Sequence, residues 1–127
     1  MQHNDTTKTI EKEKTLLQSA YNSFNKRDID AALANMHADV EWPNGMEGGI
    51  EYGHEAVRKY WTRQWTIIDP HVDPINFAKE EDGRINVTVH QVVHDKEGKL
   101  LIDQIVYHLY TIENDLIRTM EIKASEQ

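Results

Sequence analysis

Two histidines, His90 and His108, are the side chains of this 127-residue chain best suited to acid–base chemistry near neutral pH. The alternative is that both are structural histidines, hydrogen-bonded to neighbouring amides such as Asn86 or Gln104. A metal site is disfavoured, because His90 and His94 on one strand would lie about 13 Å apart. No carboxylate completes a ligand set. We therefore expect neither a metal nor a cofactor.

Both histidines fall in a stretch typical of a long β-hairpin, residues 84–110. The sequence DKEGK predicts a three-residue turn at 96–98, in which Gly98 supplies the positive φ that such a turn needs. Asp95 would then pair with Lys99. Extended outward, this register pairs residues whose numbers sum to 194.

The predicted register gives the hairpin two faces of different character. One face is mixed and carries both histidines: Asn86, Thr88, His90, Val92, Gln104, Val106, His108 and Tyr110. The other face is apolar: Ile85, Val87, Val89, Val93, Ile105, Tyr107 and Leu109. Because an apolar face left in water forgoes its burial energy, the two faces need different partners.

The remaining chain must supply the elements that position this hairpin. Periodicity and turn residues predict a flexible tail at 1–8, helices at 9–26, 29–37 and 54–68, a short edge strand at 38–43, a Gly-rich loop at 44–53, and strands at 72–78 and 116–123. A turn at 113–115 would pair Ile112 with Leu116. We predict a single α+β domain over 9–127, with three N-terminal helices packed on a curved, mostly antiparallel sheet.

Composition narrows the classes of function. The chain has no cysteine, which excludes disulfides, thiol nucleophiles and thiolate metal sites. Its net charge of −8 disfavours nucleic acid and an anionic membrane as partners. We see no apolar run of about 20 residues and no signal peptide, and therefore expect a cytoplasmic protein.

Three segments resemble one known family. FNKRDIDAALANMHADVEWP (24–43) resembles the opening of the SnoaL-like branch of the nuclear transport factor 2 (NTF2-like) superfamily. GHEAVRKYWTRQW (53–65) is similar to the family's third helix, and YTIENDLIRTMEI (110–122) to its final hairpin. The resemblance implies a cone-shaped α+β roll, a pocket between the third helix and the concave sheet face, and commonly a homodimer through the convex face.

The better-known chemistries of the superfamily do not transfer residue by residue. The ketosteroid isomerase base would fall at Trp42, its hydrogen-bonding tyrosine at about Ala20 and its protonated aspartate at about His108. An indole cannot abstract a proton, which disfavours that reaction. An epoxide-hydrolase set would need an inward carboxylate such as Asp103, which the register turns to the opposite face.

The hypotheses that follow concern a pocket, its chemistry and a dimer. We expect a small, largely apolar ligand in a pocket lined by Trp42, Tyr60, Trp61, Asn86, Gln104, Val106, Tyr110 and Met120. Isomerase, dehydratase or cyclase chemistry would rest on His108 or His90. A homodimer would form through Val87, Val89, Ile105, Tyr107 and Leu109. The alternatives are a non-catalytic binding or interaction module and an epoxide-hydrolase-like enzyme.

Overall fold

The chain lays its helices on one face of a curved six-stranded sheet, in a computed structural model that describes residues 3–124 and the side chains from residue 10 onward. The elements are α1 (His3–Asn25), α2 (Ile29–Leu33), β1 (Met36–Pro43), β2 (Ile50–Tyr52), α3 (Gly53–Ile67), β3 (Ile68–Lys79), β4 (Ile85–Asp95), β5 (Leu100–Glu113) and β6 (Leu116–Lys123). The strand order is β2-β1-β6-β5-β4-β3. Among the strand pairs formed by residues 3–124, only β1–β6 is parallel. The predicted α+β class with a mostly antiparallel sheet is confirmed.

Side chains at the end of α1 fix the first two helices against the sheet. The Asn25 side chain donates to the carbonyl of Val72 (2.8 Å) and accepts from its amide (3.0 Å), which ties the end of α1 to β3. Asp28 accepts a hydrogen bond from the amide of Ala31 and so caps α2. The Asn-x-x-Asp sequence therefore has a structural role: it attaches one helix and starts the next.

Several predicted boundaries differ from the structure. Helix α1 begins at His3 rather than residue 9, and residues 1 and 2 of the predicted tail lie outside the described residues. The predicted 44–53 loop contains the short strand β2. Because β2 pairs with one edge of β1 and β6 with the other, the prediction that β1 is an edge strand was wrong.

The β4–β5 turn forms as predicted, but the register beyond it does not. Asp95 pairs with Lys99, and Gly98 has φ 92°. A β-bulge follows at Leu101, since His94 pairs with Leu100 whereas Val93 pairs with Ile102. One extra residue on one strand shifts every later pair, and a shift of one residue exchanges the faces.

The shifted register places two predicted outer residues in the core. Val87 lies opposite His108 and Val89 opposite Val106, and both valines are fully buried beneath the helices. The prediction that Val87 and Val89 face a dimer partner was therefore wrong. On β5, Ile105 and Tyr107 lie on the side opposite the helices, as predicted, but the bulge pairs them with His90 and Thr88 in place of Val89 and Val87.

The final hairpin is also tighter than predicted. Asn114 and Asp115 both have positive φ (55° and 65°), which is the signature of a two-residue type I′ turn. Glu113 therefore pairs with Leu116, and Ile112 pairs with Ile117. The predicted pairing of Ile112 with Leu116 was wrong, because asparagine and aspartate can supply the left-handed conformation without glycine.

Two valines on β4 test this register, since Val87 faces the core and Val92 faces away from it. We expect Val87→Ala to lower the free energy of unfolding by about 2 kcal/mol, because it leaves a cavity in a packed core. The same change at Val92 should cost well under about 1 kcal/mol. Urea unfolding measures both, and a larger loss for Val92→Ala would contradict the bulged register.

Candidate functional site

A cavity of about 170 Å³ lies between helices α1 and α3 and the inner face of the sheet. It is similar in size to an engineered apolar cavity of about 150 Å³ that binds benzene. Its walls are mostly apolar and aromatic: Ala20, Tyr21, Phe24, Met36, Trp42, Pro43, Gly45, Met46, Tyr60, Trp61, Gln64, Ile68, Pro70, Val72, Gln91, Val93, Ile102, His108, Tyr110, Met120 and Ile122. No lysine, arginine, aspartate or glutamate of the described chain lines it.

Aromatic rings form one continuous wall of the cavity. The ring of Trp61 meets that of Trp42 edge-on at 5.5 Å between centroids and that of Phe24 at 5.2 Å. Trp65 stacks on the outer side of Trp61 at 5.9 Å. Trp61 is almost completely buried, and these edge-to-face contacts hold the rings at fixed angles. The wall is therefore a preformed surface for a flat apolar group.

Three buried polar side chains form a hydrogen-bonded group in the cavity wall, and one of them, Tyr110, lies beside Trp42 with 6.5 Å between ring centroids. The Tyr110 hydroxyl donates to the Tyr21 hydroxyl at 2.8 Å, and the Tyr21 hydroxyl lies 2.7 Å from Nδ1 of His108. His108 and Tyr110 are alternate residues on one face of β5, and Tyr21 reaches them from α1. Among the hydrogen bonds of the described residues, Nδ1 makes the only one of the His108 ring, which leaves Nε2 available to the cavity.

Burial keeps all three groups uncharged at neutral pH. It lowers the pKa of His108 to about 4, since the charged imidazolium loses its hydration inside the protein. Burial also raises the pKa of Tyr21 well above its usual value, and neighbouring Tyr110 raises it further. The pKa of Tyr110 is raised by burial, against a smaller opposing effect of its hydrogen bond to Tyr21. The site can therefore donate and accept hydrogen bonds but carries no net charge.

A second polar group lies where α3 meets the loop at residues 44–49. The Tyr60 hydroxyl accepts from the backbone amide of Gly45 and lies 3.1 Å from the side-chain amide nitrogen of Gln64. The Gln64 oxygen is buried and has no partner among the described residues. The Gln64 oxygen is therefore available to accept a hydrogen bond from a ligand.

Asn44 holds this loop closed over the cavity. Its side chain accepts from the amides of Met46 (3.1 Å) and Glu47 (2.7 Å) and donates to the carboxylates of Glu47 and Glu51. Glu47 is also bound by Arg63 at 2.8 Å. The loop that the sequence predicts as Gly-rich is thus built around a nearly fully buried asparagine.

Neither Asp103 nor Glu47, a carboxylate of the loop beside the cavity, lines the cavity as epoxide hydrolysis would require. Asp103 lies on the outer sheet face, 2.7 Å from Nε2 of His90. Glu47 is held by Arg63 and Asn44. The inward carboxylate that this alternative requires is absent from the cavity walls formed by the described residues.

The structure brings together part of the predicted site. His108 lines the cavity with five of the predicted pocket residues: Trp42, Tyr60, Trp61, Tyr110 and Met120. Val106 faces the same side but is buried in the core beside them. Gln104 lies at the exposed end of the inner face, where it donates to Gln91, which does line the cavity.

Two predicted site residues lie on the wrong face. His90 pairs with Ile105 and Asn86 with Leu109, so both point away from the helices, and Asn86 donates to Glu80 there. The bulge at Leu101 is the cause, because it exchanges the faces of β4 relative to β5. His90 and His108, predicted on one face, are on opposite faces.

Tyr21 is the site residue that sequence reasoning missed. Its helical spacing with Leu17 and Phe24 predicts only that it lies on the apolar face of the first helix. The resemblance placed a hydrogen-bonding tyrosine at about Ala20, and the structure shows that the next residue, Tyr21, contacts His108. A tyrosine at a buried helix position needs a partner for its hydroxyl, which was the available signal.

Two features are absent from the described residues. Among the side chains of residues 10–124, no three His, Asp or Glu are grouped as a metal site would require. In the same part of the chain, no helix has both the length and the apolar character needed to cross a membrane.

Comparisons with known proteins identify one family and one fold. The model of the SnoaL-like domain matches residues 17–120. An NTF2-like protein of unknown function from Burkholderia pseudomallei has a TM-score of 0.77 at 26% identity, over 90% of this chain and 91% of that one. TerC, co-crystallised with polyporic acid, has a TM-score of 0.78 at 26% identity, over 90% of this chain and 92% of TerC. SalBIII is an epoxide hydrolase/cyclase-like enzyme with a role in pyran ring formation in the polyether salinomycin. Its TM-score is 0.76 at 16% identity, over 91% of this chain and 92% of SalBIII. No match was found among curated proteins.

The depressed pKa of His108 predicts a loss of stability in mild acid. The unfolded chain takes up a proton near pH 6.5, whereas the folded chain resists protonation down to about pH 4, so stability falls as pH drops through this window. Between pH 7 and pH 5 the His108 contribution should fall by about 2 kcal/mol. His108→Gln should lose that part of the pH dependence in urea unfolding. Equal pH slopes for the two proteins would contradict a neutral buried imidazole.

Proposed function

The chain belongs to the SnoaL-like domain family, and on that premise we propose that it binds a small, largely apolar molecule and performs acid–base chemistry on it through His108. The observation that carries the proposal is the aromatic cavity that ends at the Tyr21–His108–Tyr110 hydrogen bonds. His90 has no part in it, since it lies on the outer face.

The walls indicate the chemistry of the ligand. The wall of Trp42, Trp61 and Phe24 suits a flat ring, since aromatic side chains contribute most to small-molecule sites of this kind. A charged ligand would enter a cavity that offers no opposite charge, which costs desolvation energy. A neutral aromatic compound with one or two polar atoms fits best. TerC, a protein of the same fold, was co-crystallised with the organic compound polyporic acid.

Binding of acetophenone, a neutral aromatic ketone, tests the proposal. All three tryptophans of the chain lie in the aromatic wall or directly against it, so intrinsic fluorescence reports on the cavity. We expect saturable quenching by acetophenone, confirmed by calorimetry. Ala20→Phe, which fills the cavity from α1, should weaken binding at least tenfold.

Gln18→Phe is the matched control, because it adds the same ring to the exposed side of the same helix. It should leave the affinity within about twofold, since it touches nothing in the cavity. Equal binding by both variants, or no saturable binding by the wild type, would show that the cavity does not take ligands of this class and would favour the non-catalytic interaction module.

We also propose a homodimer through the sheet face opposite the helices, now reduced to residues on β5. Ile105 is 44% exposed there, next to Tyr107 and the more buried Leu109. With Val87 and Val89 facing inward, this apolar surface is smaller than the sequence predicted. A cytoplasmic location remains a proposal that rests on the sequence alone.

Light scattering at micromolar concentration tests the dimer. We expect twice the chain mass of 14.8 kDa for the wild type and a shift toward 14.8 kDa for Ile105→Lys, which puts a charge in the apolar contact. Ile50→Lys, at a similarly exposed isoleucine on β2, is the control and should remain dimeric. A wild-type mass of one chain would contradict the proposal.

A further inference from the structure

We propose that Tyr21, His108 and Tyr110 form a proton relay that interconverts the keto and enol forms of a neutral bound carbonyl compound without forming a buried charge. The inference rests on the proposed ligand pocket and adds the reaction and its substrate class. Two ends of the relay, Nε2 of His108 and the Tyr110 hydroxyl, would touch the ligand. Tyr21 would join them and act as a positioning and relay residue.

The geometry of the three groups supports a relay. The Tyr21 hydroxyl lies within 2.8 Å of both Nδ1 of His108 and the Tyr110 hydroxyl, so one oxygen connects the two partners. His108 and Tyr110 both line the cavity, and their ring centroids are 6.2 Å apart. One small molecule can therefore contact both ends at once.

The chain of hydrogen bonds can run in two directions. In the first, Tyr110 donates to Tyr21, Tyr21 donates to Nδ1, and Nε2 carries the proton that faces the ligand. In the second, Nδ1 donates to Tyr21, Tyr21 donates to Tyr110, and Tyr110 offers its proton to the ligand. The two arrangements differ only in proton positions, and each group is neutral in both.

Charge is the reason to prefer a relay over stepwise acid–base catalysis. No ionised side chain of the described residues lines the cavity, so an imidazolium or phenolate formed there would have no counter-ion. The pKa of His108 is lowered and the pKa values of Tyr21 and Tyr110 are raised for the same reason, since burial disfavours the charged form of each group. Moving all protons together avoids it.

The enol-to-ketone step balances as follows. The enol O–H proton passes to the Tyr110 oxygen, the Tyr110 proton to the Tyr21 oxygen, and the Tyr21 proton to Nδ1 of His108. The Nε2 proton forms the new C–H bond, using the electron pair of the C=C bond, while the enol C–O becomes C=O. A single water molecule that accepts from Tyr110 and donates to Nε2 then restores the first arrangement.

Benzoylacetone is a suitable probe, because this neutral phenyl β-diketone carries an enol hydroxyl beside a carbonyl. Its enol absorbs strongly in the ultraviolet, so ketonisation is followed directly after dilution into water. We expect the wild type to accelerate ketonisation at least tenfold over buffer. The rate in mixtures of H₂O and D₂O should show a curved dependence on deuterium content, because several protons move in one step.

Tyr21→Phe removes one oxygen from the middle of the relay and keeps the ring. It should reduce the acceleration at least tenfold, leave benzoylacetone affinity within about threefold, and make the residual isotope dependence linear. A merely structural role would not change the isotope dependence. Tyr52→Phe, which removes the hydroxyl of a tyrosine that is 65% exposed, is the control and should behave as the wild type.

Three outcomes would overturn the relay. These are a linear isotope dependence in the wild type, unchanged turnover by Tyr21→Phe, and binding of benzoylacetone without acceleration. In each of these the ligand pocket still stands, since it is measured separately by fluorescence titration. If neither benzoylacetone nor acetophenone binds to the wild type, the proposed function fails together with the relay.

Discussion

The hydrogen bonds among Tyr21, His108 and Tyr110 connect helix α1 to the middle of the sheet, across 87 and 89 residues of sequence. Each of these polar groups is buried, and a buried polar group without a partner costs free energy. They satisfy one another only when α1 lies at one position over β5. The same contact therefore sets the helix position, the depth of the cavity and the polarity of its inner end.

This arrangement also depends on a single extra residue in β5. The bulge at Leu101 turns Val87 and Val89 toward the helices, which fills the core beside His108 with apolar groups. Without the bulge, Asn86 and His90 would occupy those places, and the cavity would be far more polar. The pKa of His108 is low because these apolar neighbours bury the imidazole and remove the water that would hydrate its charged form.

Apart from the short strand β2, the element order could be predicted, as could the α+β class and the aromatic wall, because they depend on local periodicity. Trp42, Tyr60 and Trp61 are spaced so that strand and helix geometry alone turns them toward one side. The register of the long hairpin could not be predicted in the same way. The turn motif specifies only the first pair, Asp95 with Lys99, and nothing in the residues around Leu101 marks a bulge that reverses the faces beyond it.

Tyr21 was missed for a related reason. A tyrosine in an apolar helix stripe has the same spacing whether its hydroxyl reaches solvent or a distant strand. Its partner, His108, is fixed by tertiary packing, which short-range patterns do not encode. The final turn differs in kind, since Asn114 and Asp115 carried a recognisable type I′ signal that an expectation of glycine obscured.

The site thus separates two properties that are often found together, acid–base capacity and charge. A carboxylate base in such a cavity would hold a negative charge and attract cations or water, and here Trp42 takes the place that the family resemblance gives to that base. Tyr21, His108 and Tyr110 hydrogen-bond to one another, and in the proposed relay they exchange protons only with each other and with the ligand. Because every ionised state is costly there, the chemistry best suited to the site is a neutral rearrangement of hydrogen atoms.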